Sequence, residues 1–138
     1  MRSVFLGPPG AGKGTQAARL AAQRSAAHVA TGDLFRSAVA EGTDLGRQAK
    51  EHMQAGRLVP DGLVNDLVAW RLEKPDARES FLLDGYPRTQ PQAEALDRLL
   101  ETRGQTLDAV VLFEIADEIL VERVSQRLVC RSCGAPYN

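Results

Sequence analysis

The chain has 138 residues, of which 43% are hydrophobic and 25% are charged, a composition typical of one globular domain. Its 17 Lys and Arg residues against 18 Asp and Glu residues give a net charge of -1, so the overall field does not favour nucleic acid or an anionic membrane. The apolar runs are much shorter than the ~18 residues of a membrane span. These features exclude a fibrous, disordered or membrane-spanning chain, and we expect a cytoplasmic protein with local anion binding.

The N-terminal third predicts a strand, a loop and a helix in that order. Residues 3–6 form a short apolar run that enters a glycine-rich stretch, and the Ala-rich segment after it has apolar residues at helical spacing. Residues 28–30 predict a brief second strand. Thr31 is then placed to cap a helix that runs to about residue 40, with Asp33 in its first turn, where an acid suits the helix dipole.

The middle of the chain predicts three more helices and one strand. A helix is expected from about residue 45 to residue 55, and a second from Pro60 to the helix-ending Pro75. Residues 81–83 are apolar and predict a strand. Residues 90–103 carry an apolar stripe at helical spacing, which predicts the third helix.

The segment AVVLFEI, residues 109–115, is apolar almost throughout, as is typical of a parallel strand buried on both faces. Asp117 is expected to cap a last helix that runs to about residue 128. Strands that alternate with helices predict an α/β fold, a doubly wound parallel sheet with flanking helices.

The stretch GPPGAGKGT, residues 7–15, is typical of a phosphate-binding loop, or P-loop. Small residues let consecutive backbone N–H groups converge on an anion, while Lys13 adds a mobile positive charge. The usual pattern has Ser or Thr directly after Lys, but here Gly14 takes that place and Thr15 follows. Asp84 ends a predicted strand, where either a magnesium partner or a loop-capping aspartate is expected.

Several arginines are candidates for binding phosphate. Arg123 and Arg127 lie four residues apart, a spacing at which like charges on a helix repel by about 0.2–0.5 kcal/mol. A bulky anion is the natural partner for such a pair, and a solvent-exposed basic face is the alternative. Arg36 and Arg88 lie on or beside predicted turns, where a guanidinium either forks onto a monophosphate or is solvated.

Cys130 and Cys133 are the two cysteines of the chain. A pair this close predicts metal or redox chemistry before a structural disulfide. A structural zinc site needs about four ligands, and no second cysteine pair occurs, while His28 and His52 fall in other segments. The pair is therefore interpreted as half of a zinc site, with a redox Cys-x-x-Cys as the alternative.

Five stretches together closely resemble the adenylate kinases, a family of nucleoside monophosphate kinases, over essentially the whole chain. They are, in order, GPPGAGKGT, TGDLFR, GRLVPD, LLDGYPRTQPQA and ERVSQR. The resemblance implies reversible phosphoryl transfer from ATP to AMP, giving two ADP. It also implies Mg²⁺ as the cofactor of ATP, and a P-loop kinase core over residues 1–138 with a helical AMP-binding insertion at residues 30–59.

The resemblance implies two nucleotide sites. The residues that it assigns to ATP are Gly10, Ala11, Gly12, Lys13, Gly14, Thr15, Arg127, Pro136 and Tyr137. The residues that it assigns to AMP are Thr31, Arg36, Arg57, Leu58, Val59, Gly85, Tyr86, Pro87, Arg88 and Gln92. Those that would act on phosphates in catalysis are Lys13, Arg88, Arg123 and Arg127. Thr15 and Asp84 would hold magnesium through water, and the Gln92 amide would read adenine.

The resemblance also places the beginning of a lid at residues 127–138, of the kind that holds zinc when the lid is complete. The rest of the lid and a further strand and helices of the family do not follow, so we expect a truncated chain. A nucleotide-binding fragment with little catalysis is the alternative function, and a kinase for another nucleoside monophosphate is another. We expect a monomer that binds ATP, AMP and ADP, and a missing neighbouring strand would leave residues 109–115 open to association.

Overall fold

The structure is a computed structural model, and it describes residues 1–55, 59–126, 128–130 and 136–137. The elements follow the order predicted from the sequence, with an additional pair of short strands at the end. They are β1 (Arg2–Leu6), α1 (Lys13–Arg24), β2 (Ala27–Ala30), α2 (Thr31–Ala40), α3 (Asp44–Gln54), α4 (Asp61–Leu72), β3 (Phe81–Asp84), α5 (Gln90–Thr102), β4 (Ala109–Leu112), α6 (Asp117–Ser125), β5 (Leu128–Val129) and β6 (Pro136–Tyr137).

The first four strands form one parallel sheet in the order β2-β3-β1-β4. Successive residues of a strand point to opposite faces, and both faces of this sheet are covered. Val4 and Leu83 pack with residues of α2, α4 and α5, whereas Phe5 and Leu82 pack with Ala17 of α1. The predicted doubly wound α/β fold is confirmed. No helix among the described residues has the length and apolar character needed to cross a membrane.

The strand order creates a crevice above β1 and β3. The chain leaves β1 toward β2 on one side, and leaves β3 toward β4 on the other side. Because right-handed crossovers that run in opposite directions place their helices on opposite faces, the helices that follow β1 and β3 lie on opposite faces of the sheet. A gap is therefore left between these helices at the carboxyl ends of the two neighbouring strands. In open α/β sheets, ligands bind at such a position.

Strand β4 is exposed, so the prediction that it is buried on both faces is wrong. Val110 is 55% exposed and Leu112 is 61% exposed. The reason is that β4 lies at an edge of the sheet with β1 as its paired strand, and the described elements leave its side chains uncovered. Ile119, Val121 and Val124 of α6 are exposed as well. An apolar run indicates that burying its side chains would be favourable, but it does not determine whether another element covers them.

The two predicted helix caps are also wrong. Helix α2 has Ala30 as its N-cap, because the chain passes directly from β2 into the helix, and the Thr31 hydroxyl donates instead to the Gly85 carbonyl at 3.3 Å. Helix α6 has Ala116 rather than Asp117 as its N-cap, and it ends at Ser125, earlier than predicted. Arg127 lies outside the described residues, so its predicted helical spacing from Arg123 remains a prediction.

Helices α2 and α3 approach each other closely at Gly46. A Cβ atom at this residue would lie 2.0 Å from the Ala38 carbonyl oxygen, a backbone atom that cannot rotate away. Gly62 in α4 offers a contrast, because no described atom comes within 4 Å of the position that its Cβ would occupy. A side chain at Gly46 would therefore collide with a neighbouring helix, whereas a side chain at Gly62 would meet open space.

We predict that Gly46→Ala lowers the free energy of unfolding by about 1–3 kcal/mol or more, because α2 and α3 must separate. The matched control, Gly62→Ala, should raise it by about 0.4–1 kcal/mol, because alanine restricts the unfolded chain and favours helix. Urea denaturation measures both. Equal stability of the two variants would show that α2 and α3 do not approach each other this closely.

Candidate functional site

The predicted phosphate loop connects β1 to α1 at the carboxyl edge of the sheet. Helix α1 begins at Lys13, and its N-cap Gly12 has a positive φ of 87° and provides no side-chain hydrogen bond to the first turn. The first backbone N–H groups of a helix have no partners within it, and they form an electropositive end. The Lys13 ammonium crosses the loop to donate to the Pro8 carbonyl oxygen at 2.7 Å. The electropositive helix end and the Lys13 ammonium therefore lie at the same loop.

Helix α6 packs directly against this loop at Gly10. Gly10 has a φ of 89°, and a Cβ there would lie 3.0 Å from Val124 Cγ2 and 3.2 Å from Leu120 Cδ1. The backbone of the loop can approach α6 only because this residue has no side chain. The same contact brings the Arg123 Cβ within 3.8 Å of that position. A predicted catalytic arginine therefore starts beside the loop.

Asp84 ends β3 and faces the first turn of α1. Phe5 of β1 and Asp84 are register partners in the parallel pair, and the Asp84 side chain is 13% exposed. A Cβ at Gly14 would lie 3.3 Å from Asp84 Oδ2. That distance is tighter than an ordinary contact, so a Ser or Thr after Lys13 would crowd the carboxylate. The unusual Gly14 therefore has a steric reason.

His28 is a site residue that the sequence analysis considered only as a metal ligand. Its Nε2 lies 3.4 Å from Asp84 Oδ2, because Ala30 of the same strand is the register partner of Asp84. The imidazole tautomer with its proton on Nε2 donates to the Asp84 carboxylate, which only accepts. The predicted strand at residues 28–30 was the available signal, because alternation puts His28 on the same face as Ala30, at the strand's carboxyl end.

The turn after β3 holds Arg88. Its Nε donates to the Gly85 carbonyl oxygen at 2.7 Å, and its Nη2 lies 3.4 Å from Thr31 Oγ1. Gly85 has a φ of 77°, and a Cβ there would lie 3.0 Å from Arg88 Nη2. The exposed guanidinium is thus fixed at the rim of the crevice beside the start of α2, with donors remaining for an anion.

Gln92 is only 5% exposed, and both ends of its amide have partners. Its Oε1 accepts from the Arg88 backbone N–H at 2.7 Å, and its Nε2 donates to Asp61 Oδ1 at 2.6 Å. Asp61 Oδ2 in turn accepts from the Thr89 hydroxyl at 2.7 Å. These bonds join α4 to the start of α5. The sequence indicated only a helix that begins at Pro60, so this contact of Asp61 was not predicted.

Tyr86 is 1% exposed and lies beneath the same network. Its hydroxyl lies 2.7 Å from Asn65 Oδ1 and 3.1 Å from the Gln92 carbonyl oxygen. Burial, together with the negative charge of Asp61, raises the pKa of the Tyr86 phenol to about 12. The phenol therefore stays neutral and holds α4 against the turn. The Tyr86–Pro87 peptide bond of this turn is cis.

The remaining candidates in the helical insertion are less constrained. Arg36 forms an ion pair with Asp33 on α2, and both side chains are 67% exposed. Such surface pairs contribute little to stability, so this arginine can exchange its partner for another anion. Val59 is partly buried against the core immediately before α4. Arg57 and Leu58 lie outside the described residues.

The C-terminal candidates form a small ribbon that the sequence did not predict. Pro136 and Tyr137 form β6, which pairs antiparallel with β5, and Cys130 follows β5 directly. Cys133 lies outside the described residues. Among the residues that the structure describes, no group of three or more His, Cys, Asp or Glu side chains could hold a metal ion. The described residues alone therefore do not fit a structural zinc site.

A family profile described as "Adenylate kinase" matches residues 5–130. The chain belongs to the adenylate kinase family. The adenylate kinases of Symbiobacterium thermophilum and Moorella thermoacetica are 53% and 54% identical to it over 138 residues, and that of Archaeoglobus fulgidus is 49% identical. These matches cover 100% of this chain and 64% of each relative, so the chain spans about 64% of their length.

The family membership confirms the resemblance carried by the five sequence stretches. The structure brings the predicted residues into two adjoining groups. The first lies at the ends of β1 and β3 and comprises the loop, Lys13 and Asp84. The second joins the turn after β3 to α4 and α5, and it comprises Arg88 and Gln92 together with Asp61, which was not among the predicted site residues.

The raised pKa of Tyr86 makes a prediction for stability at alkaline pH. The contribution of the neutral phenol is complete below the unfolded value of 10.0 and is lost as pH rises toward about 12. Between these two pH values, the free energy of unfolding of the wild type should fall by about 2 kcal/mol more than that of Tyr86→Phe. Urea denaturation at several alkaline pH values measures the difference. Parallel pH profiles for the two proteins would contradict the assignment.

Proposed function

We propose that this chain contains the nucleotide-binding core of an ATP:AMP phosphotransferase, which reversibly transfers a phosphoryl group from ATP to AMP and gives two ADP. One observation carries the proposal. A phosphate loop with Lys13 and a turn with Arg88 follow two adjacent parallel strands, so donors for two anionic groups lie at the same carboxyl edge of the sheet. The family membership supports the same reaction.

Phosphoryl transfer places several negative charges together, and catalysis depends on positioning and on stabilising the charge of the transferred group. In the proposed arrangement, the loop N–H groups and Lys13 bind the donor phosphates. Arg88 and Arg36 bind the acceptor phosphate, and Arg88 is already oriented by Gly85 and Thr31. Arg123, beside the loop, and Arg127 would stabilise the charge of the transferred group.

Magnesium would arrive with ATP and neutralise part of the phosphate charge. The residues present fit this ion, because Mg²⁺ prefers oxygen ligands and retains several of its waters. The Asp84 carboxylate lies against the first turn of α1, where Gly14 leaves room for it, and the exposed Thr15 hydroxyl is in the same turn. We propose that these two side chains bind waters of the ion.

The proposed acceptor site is lined by the turn and by α2. Thr31, Gly85 and Pro87 would form its walls, and the buried Tyr86 would support them from beneath. We also assign Val59, Arg57 and Leu58 to the acceptor site, and the last two lie outside the described residues. Gln92 would meet the base. A kinase for UMP or CMP is the alternative, and comparison of AMP, UMP and CMP as acceptors decides between them, since only an adenine site prefers AMP.

A second candidate function is nucleotide binding without catalysis. The exposed apolar side chains of β4 and α6 favour it, because α6 carries Arg123 and leaves Ile119, Val121 and Val124 largely uncovered. Isothermal titration calorimetry separates the two. Affinity for ATP or AMP without formation of ADP would select the binding fragment, and no affinity for either nucleotide would contradict both functions.

The cellular location and the role of the cysteines are two further proposals. We propose the cytoplasm, where ATP and AMP are abundant, as the location. We propose that Cys130 and Cys133 form half of a zinc site, since a structural zinc requires about four ligands. No step of the proposed reaction depends on that metal.

We predict that Lys13→Met lowers the rate of ADP formation from ATP and AMP by about 10²–10³-fold, because one preorganised cation is lost. A coupled assay with Mg²⁺ measures the rate, and circular dichroism verifies the fold. Lys50→Met is the matched control, since Lys50 is an exposed lysine on α3, and it should retain the wild-type rate. Equal rates for wild type and Lys13→Met would refute the role of Lys13.

We predict that Thr15→Ala raises the Mg²⁺ concentration needed for half-maximal activity by less than about tenfold, because one hydrogen bond to a water of the ion is lost. Thr15→Ser keeps the hydroxyl and should behave as the wild type. Titration of activity with Mg²⁺ at fixed ATP gives the comparison. Complete loss of activity in Thr15→Ala would instead indicate direct ligation of the ion.

A further inference from the structure

The Gln92 carboxamide is held at its two ends by groups of opposite polarity. Its Nε2 faces the Asp61 carboxylate at 2.6 Å, and its Oε1 faces the Arg88 backbone N–H at 2.7 Å. The two orientations of a carboxamide have nearly the same shape, so its hydrogen-bond partners decide which orientation is present. A carboxylate only accepts and a peptide N–H only donates, so one orientation satisfies both partners.

The reversed orientation would be strongly disfavoured. It would place Oε1 against the Asp61 carboxylate and the NH₂ group against the Arg88 N–H, which turns two attractions into two repulsions. Gln92 is 5% exposed, so water does not replace the lost bonds. The bond to Asp61 is charge-assisted, and such bonds are the stronger kind.

Asp61 is itself fixed in place. Its second oxygen, Oδ2, accepts from the Thr89 hydroxyl at 2.7 Å. As the first residue of α4 it also lies at the positive end of the helix dipole, which favours the ionised carboxylate. The partner that orients the amide is therefore both charged and immobilised.

A fixed amide distinguishes between purines. Each end of a carboxamide can make two hydrogen bonds, so after the bonds to Asp61 and Arg88 the Gln92 side chain retains one N–H and one oxygen lone pair. Adenine presents a 6-amino donor beside the N1 acceptor, whereas a 6-oxopurine presents an O6 acceptor beside an N1–H donor. A fixed amide complements the first pattern and opposes the second, but an amide free to turn over would accept both.

We propose that Asp61 is a specificity-determining positioning residue, which selects a 6-aminopurine over a 6-oxopurine by fixing the orientation of the Gln92 amide. The proposal rests on the proposed AMP site, in which Gln92 meets the base. Asp61 acts through Gln92 and does not itself need to contact the nucleotide.

The test uses Asp61→Asn and the nucleotides AMP and IMP. Asparagine has the shape of aspartate but can donate as well as accept, so its own contact allows either orientation of the Gln92 amide, and only the Arg88 N–H still favours the original one. Calorimetric affinities and kcat/KM with each acceptor should show that the wild type prefers AMP, and that the variant loses about tenfold or more of this preference. Asp66→Asn, an exposed position on the same helix, should keep the wild-type ratio.

The outcomes separate this inference from the proposed function. If the wild type prefers AMP and Asp61→Asn keeps the full preference, the inference falls while the AMP site stands. An equal loss of affinity for both nucleotides would show a merely structural role and would also overturn it. If the wild type binds AMP no better than IMP, the proposed adenine site falls and the inference falls with it.

A measurement on the nucleotide-free wild type keeps the proposal testable if the variant does not fold. Nuclear magnetic resonance of ¹⁵N-labelled protein follows hydrogen exchange at the Gln92 side-chain NH₂ group. The bond to Asp61 should slow this exchange by at least about tenfold relative to the exposed Gln48. Exchange at the rate of Gln48 would overturn the proposal without any substitution.

Discussion

The parallel pairing of β1 with β3 is the constraint on which the candidate site depends. Because Phe5 and Asp84 are register partners, the loop that leaves β1 and the carboxylate that ends β3 lie side by side. Phe81, Leu82 and Leu83 are fully buried, and Asp84 follows them where the sheet ends. A slip of β3 into the sheet would bury this charge without a partner, at a cost that the apolar contacts do not offset. The hydrophobic run and the acid after it therefore fix the register together.

That register explains the departure from the usual loop pattern. In the usual pattern a hydroxyl residue follows the lysine, and here the Asp84 carboxylate occupies the neighbouring space, 3.3 Å from where a Cβ of Gly14 would lie. The glycine and the aspartate are thus two parts of one arrangement. Under the proposed function, the side chains that bind waters of the ion are Asp84 and Thr15, one on each of the two neighbouring elements.

The local elements could be predicted from the sequence, because apolar periodicity and glycine positions reflect local geometry. The errors arose where a distant partner decides the outcome. Thr31 has the chemistry of a cap, but β2 continues to Ala30 and the Thr31 hydroxyl bonds Gly85 instead. Asp61 has the position of a first-turn acid, and its partner Gln92 is 31 residues away along the chain. The exposure of β4 likewise depends on which elements cover it, which its own apolar sequence does not encode.

Arg88 links the two parts of the candidate site. Its side chain is bonded to the Gly85 carbonyl and lies beside Thr31, while its backbone N–H orients the Gln92 amide. The backbone bond survives any replacement of the Arg88 side chain that keeps the N–H. A substitution of the Arg88 side chain can therefore change phosphate binding without changing base selection. A movement of the turn, by contrast, changes both, because it shifts the guanidinium together with the backbone N–H that bonds Gln92. A rigid turn therefore sets the distance between the two ends of the proposed acceptor nucleotide.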